Sequence, residues 1–138
     1  MLDSSRVFNR LRLLLGQQTR RLLVPDLPLR CGITPIAESA ALLGEQIEAT
    51  FGADQPIDLC GFSMGGVIAR TWIQLRGGHR RTRRFTSVAS PHQGTLTANP
   101  WPSRLLAGIA DLKQGSPLLQ QLNGDLSSLQ AIECCSFY

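Results

Sequence analysis

The pentapeptide Gly61-Phe62-Ser63-Met64-Gly65, followed at once by Gly66, constrains this chain more than any other segment. Upstream, Pro56-Ile-Asp-Leu-Cys60 has the apolar, β-prone character of a short strand. Downstream, Val67 to Leu75 has helical propensity, with Gly77-Gly78 to stop it. A serine wedged between a strand and a helix must sit on a very tight turn, in a sparsely populated backbone conformation. Side chains two residues either side of it would collide, which asks for glycine at 61 and 65, and Gly66 lets the helix approach the strand. Such a turn presents the Ser63 hydroxyl at its tip. It aims the backbone N–H of Met64 at the place where an oxyanion forms during attack on a carbonyl. The helix N-terminus adds partial positive charge there. Loss of one such donor costs roughly 3–4 kcal/mol of barrier, so Met64 contributes through its backbone rather than its thioether. The rival reading is a phosphate-cradling glycine turn, but the chain has neither G-x-G-x-x-G nor G-K-[ST] at this junction. Ser63 therefore reads as a nucleophile on a turn shaped by Gly61, Phe62, Gly65 and Gly66.

Around this junction the pattern alternates strands and helices. Arg21 to Leu27 reads as a short buried strand running into a Pro-rich loop, Pro28 to Pro35. Ile36, Ala40, Leu43, Ile47 and Phe51 recur at three- and four-residue steps, predicting a helix over 36–51 with Gly52 as its C-cap. Arg84 to Ala89 is a further strand, broken by Pro91. Helices are expected near Pro102 to Leu112 and Pro117 to Leu122, and a last strand within Leu129 to Tyr138. This order predicts an α/β fold, a mostly parallel sheet with helices on both faces, in a single domain over 1–138. Met1 to Leu23 fits two descriptions. One is an amphipathic helix capped at Ser4 or Ser5, with Val7, Phe8, Leu11, Leu14 and Leu15 on one side. The other is an Arg- and Leu-rich transit-like segment.

Composition narrows the function classes. Hydrophobic residues make up 43% and charged residues 17% of 138, a globular balance rather than a disordered one. No apolar run approaches the roughly 20 residues of a membrane span, so no integral membrane segment is expected. No secretory signal is seen, and a cytoplasmic location is expected. The four cysteines, Cys31, Cys60, Cys134 and Cys135, form no C-x-x-C pair, and neither His79 nor His92 has metal-site spacing to them. They read as reduced, mostly buried thiols, with no metal and no cofactor. Arg76 to Arg84 (RGGHRRTRR) is the densest charge cluster in a chain of formal charge +4. Without interleaved aromatic residues it reads as a solvated turn rather than a nucleic-acid or anionic-lipid patch. Trp101, Leu105, Leu106, Ile109, Leu112, Leu118, Leu119 and Leu122 form an apolar series that suits an acyl-chain wall and ordinary core helices equally.

Two segments together, Pro56 to Arg70 (PIDLCGFSMGGVIAR) and Phe85 to Thr95 (FTSVASPHQGT), resemble bacterial lipases and esterases of the α/β-hydrolase superfamily. The second is similar to the S-P-H-x-G-[ST] loop that follows the strand after the nucleophile helix in many lipases. The resemblance implies a partial α/β-hydrolase fold and hydrolysis of carboxylic esters with lipid-like or apolar acyl groups. It implies an acyl-enzyme on Ser63 and a small-molecule ester or lipid substrate. It places His92 beside the site as a loop-ordering residue, not as the triad base. It also implies a His-Gly oxyanion loop before Ser63, and an acid and a histidine after the second loop, in the order Ser, Asp or Glu, His. The chain has no His-Gly before Ser63 and no histidine beyond His92. Asp111 and Asp125 therefore have no triad role, Asp58 lies within a strand, and little turnover is expected. A non-catalytic remnant or binding module, and acyl transfer or thioester cleavage by the same serine, stand as alternatives.

Overall fold

The amphipathic pattern between Ile36 and Phe51 folds as written. A computed structural model describes residues 13–14, 21–27, 32–98 and 106–138, and α1 spans Ile36–Phe51. Its stripe of Ile36, Ala40, Leu43 and Ile47 is buried, and Gly52, at φ 78°, donates its N–H to Glu48 O at 2.8 Å. After α1 come β1 (Ile57–Phe62), α2 (Met64–Leu75), β2 (Thr82–Val88), the single turn α3 (Ala107–Ala110), α4 (Pro117–Gly124) and β3 (Glu133–Phe137). α2 packs along α1, where Gly44 leaves room for the Trp72 indole; a Cβ at 44 would stand 2.9 Å from Trp72 Cδ1. Ile68, Ile73 and Val67 of α2 are fully buried and complete this layer.

The three strands form one parallel sheet in the order β1-β2-β3. Strand alternation sends Leu59, Gly61, Phe85 and Ser87 toward α2. The opposite face carries the cross-strand rows Asp58–Arg84–Glu133, Cys60–Thr86–Cys135 and Phe62–Val88–Phe137. Every residue in those rows is exposed or half-buried, so the described helices cover one face, and of the helices expected on both faces none among the described residues covers the other. A register shift between Ile57 and Asp58 lets two arginines reach one carboxylate. Arg83 Nη2 lies 3.1 Å and Arg84 Nη1 3.7 Å from Asp58 Oδ2, and Arg84 Nε lies 2.9 Å from Glu133. Arg81 donates to the carbonyls of Gly52 and Gln55. Much of the basic cluster is thus occupied in fastening the turn between α2 and β2 to β1, at a net worth of about 1 kcal/mol or less per exposed pair.

Three sequence expectations are corrected. Arg21–Leu27 is not a strand: no described strand pairs with β1 on its free side, and Pro25 lacks a ladder donor. The segment is held by side chains instead, with Arg21 Nη1 on Thr50 O and Gln46 Nε2 on Asp26 O, while Leu23 and Leu27 pack against the core. The helix expected over 102–112 is, among the described residues, the one turn of α3. Cys60, Cys134 and Cys135 are free and exposed rather than buried, because two lie on the open face and all of β3 is at the sheet's edge. Cys31, Trp101, Leu105 and nearly all of 1–20 lie outside the described residues; Leu13 and Leu14 are helical and exposed. Leu112, Leu119 and Leu122 of the apolar series are core.

α1 begins after Pro35, which has no side chain to cap it. The Asp111 carboxylate, 75 residues on, accepts the Ile36 N–H at 2.9 Å and ties the end of α3 to the start of α1. Burial pushes this carboxyl up, and the Ile36 hydrogen bond pulls it back. Asp111→Ala is expected to cost roughly 0.5–2 kcal/mol, the usual value of an N-cap, read from the urea midpoint.

Candidate functional site

Ser63 has φ 52° and ψ −127°, one of two non-glycine residues with positive φ among those described. Holding a β-carbon there costs about 1–3 kcal/mol, so the surroundings must over-determine it. They do so through the backbone: Ser63 N–H donates to Val88 O at 2.8 Å, and Gly66 N–H donates to Ser63 O at 3.1 Å. The close approach is at Gly61 and Gly66. A Cβ on Gly61 would run into the backbone of Gly66, with its N at 2.6 Å, and of Gly65, with its O at 2.8 Å. A Cβ on Gly66 would collide with the Ser90 side chain. Gly65 corrects the expectation, since nothing lies within 4 Å of a Cβ there. The turn bends so that residue 66, not residue 65, faces the strand. Met64 is the first residue of α2, so its N–H has no intrahelical acceptor; its side chain packs against the core. Ser63 and Phe62 are half-buried.

The segment after β2 braces this turn. Val88 O accepts both Ser63 N–H and Ser90 Oγ, the latter at 3.2 Å, and Ser90 is buried over Gly66. Ala89, at φ 48°, donates its N–H to Phe137 O at 2.8 Å, and Gly94 N–H closes a turn on Pro91 O. The loop therefore links β1, β2 and β3 at the end of the sheet where Ser63 sits.

His92 belongs to that loop, but its ring points into the layer between the sheet and α2. Nε2 lies 3.0 Å from Ser87 Oγ, which donates to Ser136 Oγ at 3.0 Å, and the ring meets Phe85 edge-on at 6.3 Å. Nδ1 is buried without a partner. Asn123 Nδ2 donates to His92 O, so α4 helps to hold the loop. Burial first, and the nearby Arg70 cation second, push the His92 pKa down to about 4. The ring is neutral in the folded chain at neutral pH. As pH falls from 6.5 toward 4, the unfolded chain binds a proton that the folded chain refuses, so stability is lost through that window. Allowing for the ring's partial solvent access, the loss is expected to reach about 1–2 kcal/mol. Urea melts at pH 7.5 and 4.5 check this: His92→Gln should show a smaller difference than the parent chain.

No described side chain hydrogen-bonds the Ser63 hydroxyl. His79, the other histidine of the chain, meets Ile73 O through Nδ1 at 3.3 Å, in the turn before β2. Asp111 caps α1, Asp125 accepts from Ser127 N–H, and Asp58 joins the arginine ladder. Among the described residues no three His, Cys, Asp or Glu side chains are grouped to hold a metal ion. Sequence reasoning passed over Arg70, which is only 7% exposed. It donates through Nε to Gln74 Oε1 at 2.7 Å and through Nη2 to Leu122 O at 2.8 Å, near the C-terminal end of α4. Its spacing four residues after Gly66 and three before Ile73 marked it for the buried face.

No family model and no curated protein matches this sequence. Solved structures do. The lipase BlEst2 of Bacillus licheniformis, in its mature form, is 15% identical at a TM-score of 0.59, over 75% of this chain and 47% of that one. The phospholipase PlaB of Legionella pneumophila is 15% identical at a TM-score of 0.74, over 98% of this chain and 36% of that one. Its complex with thio-NAD gives 16% identity and a TM-score of 0.73, with 34% of that chain covered. The chain thus spans less than half the length of each of these three structures. At such identity the likeness speaks for architecture alone: this chain folds as part of an α/β-hydrolase fold.

Proposed function

We propose that Ser63 is the nucleophile of a lipid-ester hydrolase site, with the Met64 N–H as an oxyanion donor. The observation that carries this reading is the Ser63 backbone at φ 52° and ψ −127°, pinned between β1 and α2. A serine held so projects its hydroxyl at the C-terminal edge of a parallel sheet, beside a helix N-terminus. In the proposed reaction Ser63 Oγ bonds to the ester carbonyl carbon, and the carbonyl oxygen takes the developing charge beside Met64 N–H. Collapse expels the alcohol, which takes up a proton, and water then releases the acid from the acyl-enzyme. The lipase and phospholipase identities of the structural neighbours support an apolar acyl group. No described helix is long and apolar enough to cross a membrane.

The proton of Ser63 needs an acceptor, and both histidines of the chain are engaged elsewhere. Loss of a triad member costs about 10⁴-fold, so turnover by the chain alone should be very slow. The same observation favours a second reading, a hydrolase-like module that binds without turning over. Nitrophenyl esters of increasing acyl length, assayed with imidazole as a soluble base, test the proposal. Ester hydrolysis that Ser63→Ala removes is the expected result, and a rate unchanged by that substitution would refute it.

A further inference from the structure

A cavity of about 190 Å³ opens beside β3, and neither Ser63 nor Met64 lines it. Its polar wall is Arg70, Ser87, His92 and Ser136, and its apolar wall includes Phe85 and Leu129. Arg70 is the unusual member. It is 93% buried by its 7% exposure, yet both its hydrogen bonds go to neutral acceptors, and no carboxylate lies within 4 Å among the described residues. A largely buried guanidinium is ordinarily paired with a carboxylate. Its Nη1 makes no hydrogen bond among the described residues and meets solvent, since it is not one of the buried unpaired atoms.

We infer that this cavity is a second binding site, which takes a monocarboxylate with a short apolar tail. The carboxylate pairs with Arg70 Nη1 and reaches the hydroxyl of Ser136, while the tail lies along Phe85 and Leu129. Water occupies roughly 30 Å³ per molecule in the liquid, so the volume suits a carboxylate and a few methylenes. Of the titratable side chains in the wall, His92 is neutral, and partial burial pushes the Cys134 thiol up despite the Arg70 charge; Tyr138, the last residue of this sequence, also lines the cavity. The charge-assisted hydrogen bond gives the site its selectivity for an anion over an alcohol.

The test is an NMR titration of the ¹⁵N-labelled chain with hexanoate, hexanol, hexylammonium and inorganic phosphate at pH 7. Hexanoate should shift Cys134, Ser136 and the His92 ring saturably, with a Kd on the order of 1 mM, and hexanol and hexylammonium should bind at least about tenfold more weakly. Ser136→Asp, at an exposed position, supplies a tethered carboxylate and should weaken hexanoate by about tenfold or more with the fold intact. Three outcomes would overturn the inference: no saturable shift with hexanoate, hexanol binding as tightly, or phosphate binding more tightly. Each reads out apart from Ser63, so failure of the ester-hydrolase reading leaves this result standing.

Discussion

Gly61→Ala should cost this chain about 3 kcal/mol or more, enough to unfold a marginal domain, whereas Gly65→Ala should leave it as stable or slightly more so. The first substitution drives a Cβ into the backbone of Gly65 and Gly66, where no side chain can rotate away. Overpacking in cores usually costs about 1–3 kcal/mol, and backbone obstacles that cannot relax put this case at the upper end or beyond. The second places a Cβ in open space within α2, where alanine gains up to about 1 kcal/mol over glycine in helix propensity. Urea denaturation of the two variants beside the parent chain measures both. Equal losses at 61 and 65 would contradict the turn geometry described above.

That contrast also marks where the sequence is legible. The strand-serine-helix junction is a local arrangement, so residue spacing from Ile57 to Leu75 is enough to place it. The amphipathic stripe of α1, with Gly52 after it, is local in the same way. Features set by distant partners were not legible. Arg21 to Leu27 has strand-like composition, but a strand exists only beside a neighbour to pair with. The exposure of Cys60 and Cys135 depends on which sheet face is covered, which cysteine spacing does not encode. The cap on Ile36 comes from Asp111, whose bond spans 75 residues, and no capping pattern near Pro35 announces it. Gly65 was assigned the steric role that belongs to Gly66, because the one-residue offset depends on how the turn rotates into α2. An arginine on a helix suggests solvent, but Arg70 lies on the buried stripe that runs from Gly66 to Ile73.

His92 shows how motif and geometry divide the work. The S-P-H-Q-G segment lies at the end of β2, where Val88 O accepts from both Ser63 N–H and Ser90 Oγ and Ser90 packs over Gly66. The imidazole itself is turned toward Ser87, made neutral by burial and by Arg70, and left with a buried Nδ1. A general base must reach the proton it removes, and this ring is hydrogen-bonded to a different serine. The turn and the Met64 N–H proposed as oxyanion donor thus lie in one place, and His92 serves the loop that braces them.

Phosphonylation by a fluorophosphonate tests whether Ser63 is the proposed nucleophile, one that no base among the described residues reaches. Ser63 is half-buried beside the free Met64 N–H at the start of α2, so in the proposed site a soluble base can take the proton. The chain is incubated with the probe with and without imidazole, and the modified residue is located by peptide mass spectrometry. Adduct is expected on Ser63 alone, formed at least about tenfold faster with imidazole, with none in Ser63→Ala. Rapid labelling of Ser63 without imidazole would show that a base reaches it within the chain. Adduct spread over other serines, or none on Ser63 even with imidazole, would contradict its role as the presented nucleophile.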